Sequence, residues 1–506
     1  MRRKLNYLVV CSIIGVLLLM SFSTSVLAEE KEVVVAQGVD ATTMIPCMES
    51  ITSTSNILEN MYDTLVWRDR DLNLIPALAT DWENVDELTW DFYLRDDVYW
   101  HDGEKFTAHD VKYTIDRILD PEVGSQFAPY HSMVEKVEVL DDYKVRFITK
   151  EPHPLLLARL SMTQILAEHY MNEHSEEYLA SHPMGTGPFK FVKWDRDERI
   201  VMEKNPDHWR GEPEIDRLVF RPIPEPSTRI AELVTGNVDV INNVPPHQLS
   251  TVNDSDNARI SSVPSLRVIY LTINTLKEGP LQHKKVRQAL NYAVNKEGII
   301  AAILEGLGTP LKSGGLSNYH FGFQEDVGPY PYDPEKAKEL LAEAGYPDGF
   351  EISMMIPDGR YMMDREIGEA IVGMYEEIGI DVSYDIMEWG VYWSHLAERD
   401  VADVFLLGWG GATVDAEGTV GPLLYSGTPL SFFSNEKADE LIDKGRTRVD
   451  EEKRLEAYAE LTRLLREEAP WVYLHQQEDL YGVSNHVNWE ARADERLWMY
   501  PVNFVD

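Results

Sequence analysis

Cysteine is almost missing from this chain: 506 residues contain two, Cys11 and Cys47. Cys11 lies inside an N-terminal apolar stretch, so a chain that loses that stretch keeps one thiol and cannot form an intrachain disulfide. Stability must then come from packed cores. Positive charge is also scarce, with 47 Lys and Arg against 86 Asp and Glu and a formal net charge of −39. This argues against nucleic acid and anionic lipid as partners. Catalytic and metal motifs are lacking too. There is no Gly-x-Ser-x-Gly elbow, no HExxH and no cysteine pair, and Gly306-Leu307-Gly308 lacks the rest of a nucleotide-binding pattern. His169 and His174 are five apart, a spacing that makes them diverge on a helix. The expectation is of no catalytic residue, no metal site and no cofactor. No internal repeat or low-complexity linker is visible.

What is present begins with Arg2, Arg3 and Lys4, an apolar run, and a small-residue end at Val26-Leu27-Ala28, followed by Glu29 and Glu30. That is the plan of a secretory signal peptide over residues 1–28, leaving a protein that does not span the membrane. The remaining length exceeds what one core serves and calls for two or more lobes.

Strand-like runs at Thr89-Trp90-Asp91-Phe92-Tyr93-Leu94, at 144–148 and at 200–203 alternate with helices that carry end signals. Thr107 and Asp110 form a capping box for a helix that stops before Asp120-Pro121. Asp333-Pro334 opens a helix that leaves at Gly345, and Asn435 to Gly445 repeats that plan. Residues 286–304 place Val286, Leu290, Ala293, Ile300 and Ile303 on one helical face. The pattern indicates an α/β or α+β protein. Trp100-His101-Asp102-Gly103 pairs an imidazole with a carboxylate, yet Asp-Gly is a turn signal, so the segment reads as structural punctuation.

Several blocks go further. Ala77-Leu78-Ala79-Thr80-Asp81-Trp82, Tyr93-Leu94-Arg95, Trp100-His101-Asp102-Gly103-Glu104 and Phe106-Thr107-Ala108-His109-Asp110-Val111 come in order. Gly185-Thr186-Gly187-Pro188-Phe189, Asn205-Pro206-Asp207-His208-Trp209, Tyr270-Leu271-Thr272-Ile273-Asn274 and Val286-Arg287-Gln288-Ala289-Leu290 follow. Together they resemble the peptide/nickel class of ABC-importer solute-binding proteins, family 5, with closest local similarity to glutathione- and dipeptide-type members.

The resemblance implies an α/β, two-lobed periplasmic-binding-protein type II fold (cluster C), with an extra subdomain in lobe I and two hinge crossings. It divides the chain into lobe I (29–268, extra subdomain about 61–185), lobe II (269–475) and a return to lobe I (476–506). The crossings fall near 265–274 and 471–481. The implied function is capture of a short peptide or peptide-like solute outside the cytoplasm by a monomer that docks on ABC permease subunits. Oligosaccharide or nickel-complex binding by the same fold, and a secreted hydrolase, are the alternatives.

For the site, resembling peptide binders carry a Trp-x-x-Asp whose carboxylate holds the ligand's amino terminus. In Trp409-Gly410-Gly411-Ala412 the matching position is Ala412, which leaves Asp415 or Glu417 as substitutes. The stretch through Tyr425 looks closer to glutathione-binding relatives. Arg360, in Pro357-Asp358-Gly359-Arg360-Tyr361, stands where relatives place a carboxylate-binding arginine, and its planar fork suits bidentate pairing. Trp389, Trp409, Gly410, Tyr425, Ser55 and Thr186 complete the expected ligand-binding set. Trp393 and Leu396 read as the packing face of the helix after Trp389, and Ser55 as part of a segment preceding a helix over 57–66.

Overall fold

The computed structural model describes residues 30–49, 51–312 and 314–505; the leader expected at 1–28 lies outside them. The protein is a two-lobed α/β molecule. Its lobes share one large mixed sheet, and the two longest strands, Ala258–Ile273 and Trp471–Ser484, run antiparallel through both.

On one side of this pair lie the lobe I strands Glu32–Gln37, Arg217–Pro222, Arg199–Lys204 and Phe189–Asp195. On the other lie the lobe II strands Val404–Trp409, Phe350–Asp358 and Ile380–Glu388. The lobe II strand Phe350–Asp358 is parallel to both neighbours, and apolar side chains cover both faces of the sheet, as parallel strands require. The lobe I core closes only when the end of the chain returns to it, through Tyr481, Trp489, Leu497 and Met499. A separate antiparallel sheet, Ala79–Asp86, Thr89–Leu94, Lys144–Thr149 and Val134–Asp141, packs on the helix Ala108–Leu119 and forms the additional subdomain of lobe I. Cys47 is buried in the same core.

Local chemistry explains several boundaries. Both halves of the Thr107/Asp110 capping box are made, and the helix stops at Asp120. Asp333 accepts from the Lys336 amide at 2.9 Å, Pro334 occupies the first turn, and Gly345 sits at φ 93°.

Three expectations change. The single helix over 286–304 is two, Lys284–Ala293 and Lys296–Ala302. Asn295 leaves the helical path and caps the second through the Gly298 amide at 2.8 Å. Gly445 does not end its helix, which runs Glu436–Thr447. A Cβ there would meet the Tyr458 ring at 2.3 Å, so the glycine allows two helices to approach. The helix expected after Ser55 instead contains it, spanning Thr52–Leu58, and Val66 opens a strand.

Candidate functional site

The ladder between the crossing strands shifts register between Pro264 and Val268, where the lobes meet. Gln476 fills the gap by donating to the Ser265 carbonyl at 2.7 Å. Arg267 leaves the gap and forks onto Glu495, with Nε and a terminal nitrogen at 2.6 and 2.7 Å. Beside this pair, Asp479 is pushed up to about 8, first by burial and then by the charge of Glu495.

Lobe II contributes the loop after Phe350–Asp358. The Asp364 carboxylate gathers the amides of Gly359, Arg360, Tyr361 and Arg365 at 2.9–3.1 Å and fixes the loop's shape. The Arg360 guanidinium is thereby held 5.1 Å from the Tyr361 ring and 5.2 Å from the Trp389 ring. It makes no ion pair among the described residues, and burial, then neighbouring Arg267, lowers its pKa. A half-buried guanidinium framed by two aromatic faces keeps a planar fork of donors whose shape suits a carboxylate. Trp389 also stacks on Tyr392 at 5.6 Å; that ring and Leu396 form the helix's packing face, while Trp393 is 42% exposed.

The loop after Val404–Trp409 carries the other expected residues. Trp409 is half-buried and donates to the Gly418 carbonyl at 2.8 Å. Gly410 is half-buried too, and a Cβ on it would stand 3.7 Å from a terminal nitrogen of Arg267, placing this loop beside the hinge pair. Gly411, at φ 53°, permits a close pass over His320, whose ring meets the Gly411 carbonyl at 3.1 Å. Ala412 is exposed and brings no charge.

The two carboxylates expected to replace the missing one are both committed. Asp415 accepts from Arg454 at 2.6 Å and Tyr458 at 3.1 Å. Glu417 accepts from Arg159 of lobe I at 3.0 Å, a buried ion pair that spans the lobes. Arginines 39 and 258 residues away make these bonds, which no local pattern discloses.

Three more expected residues make contacts of their own. Thr186 spends its hydroxyl on Asp63 at 2.9 Å inside lobe I, where Trp209 also donates to Asp63. Tyr425 packs under Arg446 at 4.4 Å and meets Asp443 on the outer helix of lobe II. Ser55 is half-buried within its helix.

The structure adds a lobe I surface that the sequence did not suggest. Arg68 donates to the Thr413 carbonyl of lobe II at 2.5 Å and to the Leu72 carbonyl at 2.7 Å. Around it, Arg492 is forked onto Asp494, and Arg496 reaches Glu59 at 3.3 Å and Asp494 at 3.5 Å under the Trp67 ring. Burial pushes Glu59 up to about 7 against the pull of Arg496. Its only sequence signal is the scatter of arginines at 492 and 496 near the chain's end. A groove of about 630 Å³ also opens beside the hinge between Arg70, Ser262, Tyr319 and Glu490, but Arg360, Trp389 and Trp409 do not reach it.

Comparisons with known proteins agree with this architecture. Residues 73–430 match the family model described as bacterial extracellular solute-binding proteins, family 5 middle. The chain is 32% identical over 454 residues to heme-binding protein A of Haemophilus influenzae, covering 83% of this chain and 82% of that protein. It is 28% identical over 458 residues to the glutathione-binding protein GsiB of Pectobacterium atrosepticum, 88% of each being covered. Among solved structures, the ABC transporter-associated periplasmic binding protein DppA of Helicobacter pylori in complex with the peptide STSA superposes with a TM-score of 0.84. It is 27% identical, with 94% of this chain and 98% of that chain covered. Among the described residues no helix is long and apolar enough to cross a membrane, and no group of three or more side chains could hold a metal ion.

Proposed function

Because the chain belongs to family 5 of the bacterial extracellular solute-binding proteins, we propose that it captures a short peptide or a peptide-like solute of the glutathione kind between its lobes. It then delivers the solute, chemically unchanged, to the permease subunits of an ABC importer. The observation that carries this reading is Arg360: a half-buried guanidinium that makes no ion pair among the described residues, locked by the Asp364 loop between Tyr361 and Trp389. A solute carboxylate completes that arrangement. The peptide-bound and glutathione-binding relatives support the ligand class.

The missing acidic side chain at Ala412 and the engagement of Asp415 and Glu417 by arginines argue against recognition of an ordinary α-amino terminus in this loop. A γ-linked peptide carries its amine elsewhere, which fits this departure. Delivery follows from closure, since the solute favours the conformer in which both lobes contact it. A thermal-shift panel of peptides, glutathione forms, sugars and metal complexes, followed by calorimetry on the hits, tests the reading. Saturable binding of a peptide-like solute that is lost on esterifying its carboxylates, with no product released, is expected. Binding confined to sugars, or turnover of the bound solute, would defeat it.

A further inference from the structure

Arg68, Arg159 and Arg496 each bury a guanidinium nitrogen that finds no acceptor among the described residues: Nε of Arg68, Nε of Arg159 and a terminal nitrogen of Arg496. The three are neighbours. Arg496 donates to the Ser161 carbonyl, two residues beyond Arg159, and Arg68 and Arg496 repel each other. Arg68 is the extreme case, being 5% exposed and bonded only to backbone carbonyls, with no carboxylate partner. Burial, then the charge of Arg496, brings it down to about 10. Asp494, Asp415 and Asp69 offset part of the Arg68 charge without bonding to it. The three buried nitrogens still find no acceptor among the described residues, and a solute anion satisfies them only while the lobes are together, because Arg68 and Arg159 both bond to lobe II.

We infer that Arg68, flanked by Arg159 and Arg496, forms a second anion subsite in addition to Arg360, so that the solute is one with two separated carboxylates. This rests on the proposed peptide-like reading and narrows it. The two anchors meet the same lobe II segment: Tyr361, next to Arg360, donates to the Gly408 carbonyl, and Arg68 to that of Thr413. Five residues separate these carbonyls by at most about 18 Å, the span of a short peptide.

The test uses glutathione and two analogues that each lack one carboxylate, the glycine ethyl ester and the 4-aminobutyryl form. Each is titrated calorimetrically into the wild type, Arg68→Gln and Arg360→Gln. The wild type should bind each analogue at least about tenfold more weakly than glutathione. Arg68→Gln should abolish that preference for one analogue and Arg360→Gln for the other. Arg68→Lys, which keeps the charge, should preserve part of it, with circular dichroism verifying each fold. Uniform weakening of all three compounds by Arg68→Gln would reduce Arg68 to a structural residue and overturn the subsite.

Thermal stabilisation by glutarate at constant ionic strength needs no identified solute. Stabilisation present in the wild type and lost in Arg68→Gln supports the subsite, whereas an equal response in both proteins, or none in either, overturns it. Glutarate acting through Arg68 while no peptide in the panel binds would defeat the peptide reading and leave the subsite standing.

Discussion

Replacing Glu417 by glutamine should weaken solute binding although Glu417 need never touch the solute. Its carboxylate meets Arg159 at 3.0 Å, and the two side chains are 10% and 8% exposed. Arg159 is anchored within lobe I by the Tyr130 carbonyl at 2.5 Å, so the bond to Glu417 is what closure adds. With the lobes apart both groups are hydrated and the substitution costs little. With them together, the glutamine side chain offers a neutral acceptor where a charged one stood. A hydrogen bond to a charged group is worth about 1.5–3 kcal/mol against about 1 for a neutral one, so the closed form loses on the order of 1–2 kcal/mol. Since solute binds through closure, the apparent Kd should rise by about five- to thirtyfold. Calorimetry on wild type, Glu417→Gln, Arg159→Met and the double variant completes a cycle whose coupling should exceed about 0.5 kcal/mol. X-ray scattering at saturating solute checks that each variant still closes. Affinity within twofold of wild type for Glu417→Gln, with additive single effects, would refute the reasoning.

Other outcomes follow from neighbouring geometry. Arg360→Ala should cost about 2–5 kcal/mol of affinity for a carboxylate-bearing solute by calorimetry, and a loss below about fivefold would rule out the clamp. Gly411→Ala should lower the urea midpoint by the equivalent of about 2 kcal/mol or more. The added Cβ would stand 2.1 Å from the His320 ring on backbone at φ 53°; an unchanged midpoint would refute this. Burial lowers His101 and His320 to about 4, so both stay neutral when folded. The stability they contribute is present above about pH 6.5 and lost as pH falls through 4. Their NMR titrations should therefore begin well below 6.5. Glu59 has the opposite sign, its stabilisation being lost as pH rises through about 7, so Glu59→Gln should gain stability relative to wild type between pH 5 and 8 in chemical denaturation.

The parts of the fold that could be read in advance are those with local causes. The Thr107 box, the Asp333-Pro334 start and the runs at 89–94 and 144–148 each depend on residues a few positions apart. Misreadings arose where a distant partner decided the outcome. Gly445 reads as a helix exit from its neighbours alone but serves the close approach of Tyr458, and the turn at Asn295 hides inside an uninterrupted apolar periodicity. The site divides the same way. Arg360 is a candidate from sequence because its turn-rich loop follows a strand and stands where relatives place a carboxylate-binding arginine. Arg68 meets Thr413 across 345 residues of chain and Arg159 meets Glu417 across 258, so neither partner was visible in its own neighbourhood.

Cys47, buried in the lobe I subdomain with its thiol raised to about 12 by burial, is the one cysteine among the described residues. Its inertness makes the native protein a ready scaffold for optical labelling. Cysteines introduced at exposed Leu276 and Val192, one on each lobe, would take up maleimide dyes while the native thiol stays silent, so domain closure can be timed by fluorescence without first stripping a natural side chain from the core.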